Sequence, residues 1–189
     1  MTDALDRFSA ATSSWFGSNF EAPTSAQAGA WEAISSGSHT LVVAPTGSGK
    51  TRAACLCALR GRRRLPAAHA AHRCRVLYIS PLKALAVDVE RNLAAPLVGI
   101  GHAAQRLGLP RPEIRVGLRS GDTPADERRG FVRNPPDVLI TTPESLFLLL
   151  TSAAREALRG IETVILDEVH AVAGTKRGAH LAVSLERLD

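Results

Sequence analysis

The chain has 189 residues, of which 45% are hydrophobic and 22% charged, and 23 Lys and Arg against 18 Asp and Glu give a net charge of +5. This is the composition of one ordinary soluble domain, and no apolar run is long enough to be a bilayer-spanning helix. The 3 cysteines form no framework and the N-terminus has no basic-then-apolar leader, so free thiols, a reducing compartment and a cytoplasmic location are expected.

Residues 3–17 read as a short amphipathic helix with Leu5, Phe8, Trp15 and Phe16 inward and Gly17 closing it. Thr24 followed by Gln27 has capping-box spacing, and the helix it starts is expected to run to about Ser36, with Gly37 beyond its end. Next comes Thr40-Leu41-Val42-Val43, a β-branched strand pattern that leads into Ala44-Pro45-Thr46-Gly47-Ser48-Gly49-Lys50-Thr51 and a helical run from Arg52. Strand, glycine-rich turn, Lys-Thr and helix are the context of a P-loop. Gly47 and Gly49 permit a tight turn with inward amides, and the helix N-terminus adds positive potential, so Thr46, Gly47, Ser48, Gly49, Lys50 and Thr51 together form a phosphate cradle. Lys50 reaches the β- and γ-phosphates and Thr51 offers its hydroxyl to Mg²⁺. The first position is Ala44 where the strict pattern has Gly. Beside this loop, Gln27 gains a second reading besides its cap: its amide can donate to and accept from the adenine edge of ATP, with Phe20 packed on the base. The adenine contact is favoured here.

Residues 61–73 read as a mobile basic loop. His69, His72 and Cys74 invite a metal reading, but no fourth ligand is nearby in sequence. Residues 75–79 form a continuous apolar strand; residues 80–85 end it and begin a long helix, expected to break near Pro96. Strands are expected at 114–118, 137–140 and 163–166. The first of these is followed by the turn 119–124 and a helix, the second by Thr141-Thr142-Pro143-Glu144-Ser145 with Pro143 in a first helical turn, and a last helix lies at 178–189. Five strands alternating with helices predict right-handed crossovers, a parallel sheet with helices on both faces, and polar turns gathered at the carboxyl ends of the strands. Asp167 and Glu168 follow the last strand. A carboxylate there can hold Mg²⁺ opposite Lys50 and Thr51, and the next one can activate a water, which makes Asp167 the metal-side ligand and Glu168 the catalytic base together with Lys50.

Gln27, the P-loop, Ser80-Pro81-Leu82-Lys83-Ala84-Leu85, Gly121-Asp122-Thr123, Thr141-Thr142-Pro143-Glu144-Ser145 and Asp167-Glu168-Val169-His170 resemble the ordered motifs of superfamily 2 helicases. The longer strings at 80–93 and 166–188 resemble the Lhr (large helicase-related) group. The resemblance implies an α/β, RecA-like P-loop NTPase fold spanning 1–189, the first motor domain of an ATP- and Mg²⁺-dependent helicase. It also implies 3′-to-5′ movement on single-stranded DNA, action on DNA or RNA–DNA duplexes, and a link with DNA repair. Ser80, Pro81, Lys83, Arg119, Gly121, Thr142 and Pro143 would then contact the strand backbone, where amides and hydroxyls at helix N-termini bind phosphate without reading sequence. Capping is an alternative role for Thr142 and Glu144. His170 would couple the nucleotide site to a second domain, and Lys176 and Arg177 face either that domain or the strand.

The group's Ser-Ala-Thr motif, second RecA-like domain with its arginine fingers, and winged-helix domain do not follow within this sequence, so a fragment nearly inactive by itself is expected. Two other classes fit parts of the pattern. A non-catalytic nucleic-acid-binding P-loop module keeps the fold without turnover, and a P-loop kinase or transport ATPase explains the phosphate loop but leaves the Lys83 and Thr142 motifs without a task.

Overall fold

The computed structural model describes residues 4–45, 47–60 and 72–188. Thr46, His69 and most of the expected basic loop at 61–73 lie outside the described residues. The chain divides into two compact units, Met1–Arg63 with Asn92–Glu113, and Arg64–Arg91 with Ile114–Asp189.

The first unit is helical. A 3-10 turn at Ala4–Arg7 precedes α1 (Ala10–Asn19), α2 (Ser25–Ser35) and α3 (Lys50–Arg60). The single helix expected at 3–17 is therefore two pieces, because Ser9 stops the first and caps the second by accepting the Thr12 N–H. The helix runs through Gly17 to Asn19, whose side-chain amide caps the Trp15 carbonyl. The core is an aromatic cluster: Trp31 is fully buried, Phe8 lies edge-on to it at 4.9 Å between centroids, and Phe16 does so at 5.5 Å. The Trp31 indole donates to the Ala53 carbonyl at 3.1 Å, fixing α3 against α2.

The strand expected at 40–43 does not form. Leu41 and Val43 are 79% and 85% exposed, and among the described residues these positions make no backbone ladder. A β-branched run has strand propensity only where a neighbouring strand and a buried face complete it.

The second unit holds a four-stranded parallel sheet of β1 (Val76–Ile79), β2 (Val116–Arg119), β3 (Val138–Thr141) and β4 (Thr163–Leu166), in the order β2-β3-β1-β4. The two central strands, Val-Leu-Tyr-Ile and Val-Leu-Ile-Thr, are buried at every position, as continuous apolar runs in parallel sheets are. The edge strands β2 and β4 are only partly covered. The connections are helical: α4 (Lys83–Arg106), α5 (Ala125–Arg133), α6 (Pro143–Leu150) and, after β4, α7 (Lys176–Glu186). Leu77, Ile79, Leu139, Leu146, Leu149 and Leu181 form the core of this unit.

The break expected at Pro96 is absent, and α4 continues through it. Proline removes the bond to the Asn92 carbonyl, but Leu93 on one side and Ile100, Ala103 and Ala104 on the other are buried, and that packing carries the helix across. At the base of the sheet Arg73 makes a two-pronged ion pair with the buried Asp137 carboxylate at 2.9 and 3.1 Å, and the Arg115 N–H adds a 2.7 Å bond. No helix among the described residues is long and apolar enough to cross a membrane.

Candidate active site

The loop before α3 is tied to the start of α2. Gly47 and Gly49 have φ of 84° and 83°, the left-handed region that glycine occupies without strain. The Thr24 hydroxyl accepts the Gln27 N–H and donates to the Ser48 carbonyl at 3.0 Å. The Gln27 amide accepts from the Thr24 N–H at 3.0 Å and donates to the Gly49 carbonyl at 3.4 Å. In a trans peptide the carbonyl and the following N–H point in opposite directions. With the Ser48 and Gly49 carbonyls turned to α2, the N–H groups of Gly49 and Lys50 are turned away from it, as a phosphate cradle requires.

A β-carbon at Gly49 would lie 2.3 Å from Gln27 Nε2, so glycine is required there on space as well as on φ. Ser48 Oγ is buried without a hydrogen-bond partner among the described residues, a polar atom left for an incoming acceptor or donor. Lys50 Nζ donates to the carbonyls of Ala44 and Pro45, the latter at 3.0 Å. Thr51 is half-buried in the first turn of α3, and Thr46 lies outside the described residues. Gln27 is 3% exposed and both ends of its amide are engaged within the protein. The cap reading of Gln27 is what the structure displays, and an adenine contact requires those bonds to be given up. Phe20 carries the Arg52 guanidinium over its ring at 4.3 Å.

In the second unit the parallel register aligns four strand ends. Ile79 is level with Thr141 and with Leu166, and Arg119 is level with Thr141. The segments after them, at 80–83, 120–123, 142–143 and 167–168, therefore lie along one carboxyl edge. Asp167 is held from two sides: Tyr78 Oη donates to Oδ2 at 2.7 Å, and the Glu168 N–H donates to Oδ1 at 3.0 Å. Glu168 has φ of 46°, the only non-glycine residue with positive φ among those described. Such strain persists where the surroundings enforce it, and it concentrates at functional positions. His170 is exposed, with Nε2 3.3 Å from Glu168 Oε2.

The expected strand contacts divide by exposure. Ser80, Pro81, Thr142 and Pro143 are buried; Ser80 Oγ donates to the Leu82 carbonyl, and Thr142 caps α6 through the Ser145 N–H and hydroxyl. Lys83 and Gly121 are exposed. Lys83 Nζ is 2.6 Å from Asp122 Oδ2. Arg119 is half-buried with Phe131 6.0 Å below its guanidinium. Burial, and then the nearby Arg128 charge, lower its pKa from the ordinary value.

Two supporting residues escaped the sequence reading. Tyr78 is one; a single aromatic hydroxyl in an otherwise aliphatic strand was the available signal. Arg128 is another, bonding the Thr123 and Gly121 carbonyls at 2.7 Å each. Arg177, whose partner sequence left open, grips Glu144 with two nitrogens and also bonds the Pro81 carbonyl, so it joins α7, α6 and the 80–83 turn. That hydrogen bond is the main cause holding the Glu144 carboxyl below its usual range, and it raises Arg177 in turn.

The profile of the DEAD/DEAH box helicase family matches residues 24–189. The chain is 67% identical over 99% of its length to "Lhr helicase/ probable uracil glycosylase" of Mycolicibacterium smegmatis, of which it covers 12%. It is 42% identical over 93% of its length to "ATP-dependent helicase Lhr-Core" of Methanocaldococcus jannaschii, of which it covers 21%. The chain thus spans between about an eighth and a fifth of these relatives. Among solved structures, that of Mycobacterium smegmatis helicase Lhr bound to ssDNA and AMP-PNP superposes with a TM-score of 0.92 at 66% identity, over 100% of this chain and 24% of that one. The DEAD-box helicase Mss116 bound to ssRNA and UDP-BeF superposes at 0.75 with 17% identity, over 97% of this chain and 37% of that one, a likeness of fold alone.

Proposed function

The chain belongs to the DEAD/DEAH box helicase family, and from that premise we propose that it is the ATP-binding first motor domain of a larger ATP-dependent nucleic-acid translocase of the Lhr kind. The observation that carries the reading is the loop at 44–51, whose left-handed glycines and α2-anchored carbonyls turn the Gly49 and Lys50 amides toward one side. The residues fit a triphosphate: two left-handed glycines, an orphaned Ser48 hydroxyl, a lysine and a helix N-terminus. Thr51 carries a hydroxyl and Asp167 a carboxylate, the kinds of hard oxygen donor that Mg²⁺ takes.

Bound Mg²⁺-ATP supplies the phosphoanhydride whose cleavage drives the cycle. Lys50 exchanges its Ala44 and Pro45 carbonyls for phosphate oxygens. Tyr78 fixes the Asp167 carboxylate, which would offer an oxygen to Mg²⁺. Glu168 accepts the proton of the attacking water at a carboxylate oxygen. His170, beside Glu168, reports the state of that carboxylate to a second RecA-like domain. Lys83, Gly121 and Arg119, with the segments at 80–81 and 142–143 beneath them, form the path of a single strand, DNA or one strand of an RNA–DNA duplex, along which the complete protein moves 3′ to 5′ in DNA repair. The second RecA-like domain and a winged-helix domain belong to the rest of that protein.

The test is nucleotide binding by this chain and strand-stimulated ATPase by the complete protein. Lys50→Ala is expected to abolish binding of a fluorescent ATP analogue, and Glu168→Gln to retain binding while turnover falls by roughly 10²-fold or more. Unchanged turnover in both variants overturns the assignment. A complete protein that binds strand and nucleotide but never hydrolyses ATP is the non-catalytic alternative.

A further inference from the structure

The two cations proposed to meet the strand are not in the same electrostatic state. The guanidinium of Arg119 has no carboxylate within ion-pair distance among the described residues. Lys83 is already neutralised: its ammonium lies 2.6 Å from Asp122 Oδ2, the distance at which a phosphate oxygen would sit. The two partners differ in freedom. Asp122 is at the tip of a turn fastened on both sides, because Arg128 bonds the carbonyls of Gly121 and Thr123 at 2.7 Å each. Within the same turn the Ser120 N–H bonds the Thr123 hydroxyl at 2.9 Å, and the Asp122 N–H bonds the Ser120 hydroxyl at 3.4 Å. Lys83 is a flexible side chain at the first residue of α4. The pair is solvent-exposed, with side-chain accessibilities of 55% and 77%.

We propose that Asp122 is an internal stand-in for a strand phosphate: it holds the Lys83 ammonium in place when no strand is bound and competes with the strand for it, so that backbone binding at this point is weakened and made rapidly reversible. A carboxylate carried on a fastened turn and a long, many-rotamer cation suit this task, since the lysine leaves and returns while the turn keeps its shape. An exposed ion pair is worth little, so the competitor is displaced readily yet measurably. A motor that steps along a strand needs contacts that release at each step, and a self-neutralised lysine supplies one.

The proposal rests on the strand-binding reading of Lys83, and the experiment separates the two. Fluorescence anisotropy of labelled oligo(dT) is titrated with the full chain at about 50 and 200 mM salt, a range over which phosphate contacts declare themselves. The variants are Asp122→Asn, Lys83→Ala and the double variant, with Asp126→Asn as the control for loss of one negative charge on the same surface. Asp122→Asn is expected to tighten binding about three- to fivefold at the lower salt. The gain in excess of the Asp126→Asn control is expected to vanish in the Lys83→Ala background, as coupling between the two side chains demands. Lys83→Ala alone should weaken binding and lower the salt slope by about 0.7. An equal gain from Asp122→Asn with and without Lys83, or no gain over the control, overturns the stand-in role while leaving the strand reading intact. No loss of affinity on Lys83→Ala, or no binding by the parent chain, overturns both.

Discussion

The buried Tyr78 hydroxyl donates to the Asp167 carboxylate at 2.7 Å, from the central strand β1 to the end of its neighbour β4. The register of the sheet makes this possible: Tyr78 is level with Ile165, two residues short of the carboxylate. Tyr78→Phe removes the donor and keeps the ring. Stability is expected to fall by about 1 kcal/mol in urea denaturation. Mg²⁺-dependent nucleotide affinity is expected to fall by roughly 10-fold or more, as when a group orienting a metal ligand is lost. Mg²⁺ titration of a bound fluorescent nucleotide checks it.

Glu168 holds a left-handed backbone at φ 46° that glycine adopts without cost. Glu168→Gly should therefore raise folding stability by about 1 kcal/mol while abolishing strand-stimulated turnover in the complete protein. Chemical denaturation and an ATPase assay on the same variant pair settle it; a less stable glycine variant refutes the strain argument.

Gly49 combines a positive φ with a filled neighbourhood. Gly49→Ala is expected to displace the Gln27 amide, cost roughly 1–2 kcal/mol and abolish nucleotide binding, whereas Gly29→Ala, in the middle of α2 with open space around it, should be neutral or slightly stabilising. Thermal melts of both variants give the contrast.

Arg177 holds Glu144 below its ordinary carboxylate value, chiefly by hydrogen bonding. A depressed folded-state value means that this contribution is complete above the unfolded carboxylate's pKa and is lost as the pH falls through the folded one. The link between α7, α6 and the 80–83 turn is thus present at neutral pH and weakens in acid, below the ordinary value of 4.5. Arg177→Ala should return Glu144 to the ordinary range in an NMR titration and remove that segment of the acid dependence. A Glu144 titration unchanged by the substitution would falsify the assignment.

Asp137 is buried and bridges Arg73 to the Arg115 backbone. Asp137→Ala removes the carboxylate that accepts from the Arg73 guanidinium and the Arg115 N–H, and a loss of about 1–3 kcal/mol is expected in denaturant titration. Asp126→Ala, an exposed acid in the first turn of α5, should cost less than 1 kcal/mol.

Local chemistry was readable where a motif carries its own geometry. Thr24 with Gln27, Pro143 after Thr142, and the four strands of the second unit came through within a residue or two. The strand expected at 40–43 failed because a ladder partner decides such a strand, and no partner is written in the run itself. Pro96 failed for the converse reason, since buried neighbours on both sides outweigh one missing bond. The phosphate-site residues were named from local pattern and the strand contacts and His170 from the family resemblance, but neither named what holds them. Tyr78 to Asp167 and Arg177 to Glu144 join positions 89 and 33 residues apart, and only the sheet register and the packing of α7 bring them together.

The Thr24 hydroxyl spends its lone pair on α2 and its proton on the phosphate loop. Fraying of the first turn of α2 and loosening of the loop are consequently one event. The Gln27 and Ala28 amides, which depend on Thr24 for their acceptors, should exchange with deuterium at a rate set by whatever occupies the loop. If the loop holds nucleotide as proposed, the amino end of an ordinary helix would be a gauge of its occupancy, readable by mass spectrometry without labelling the nucleotide at all.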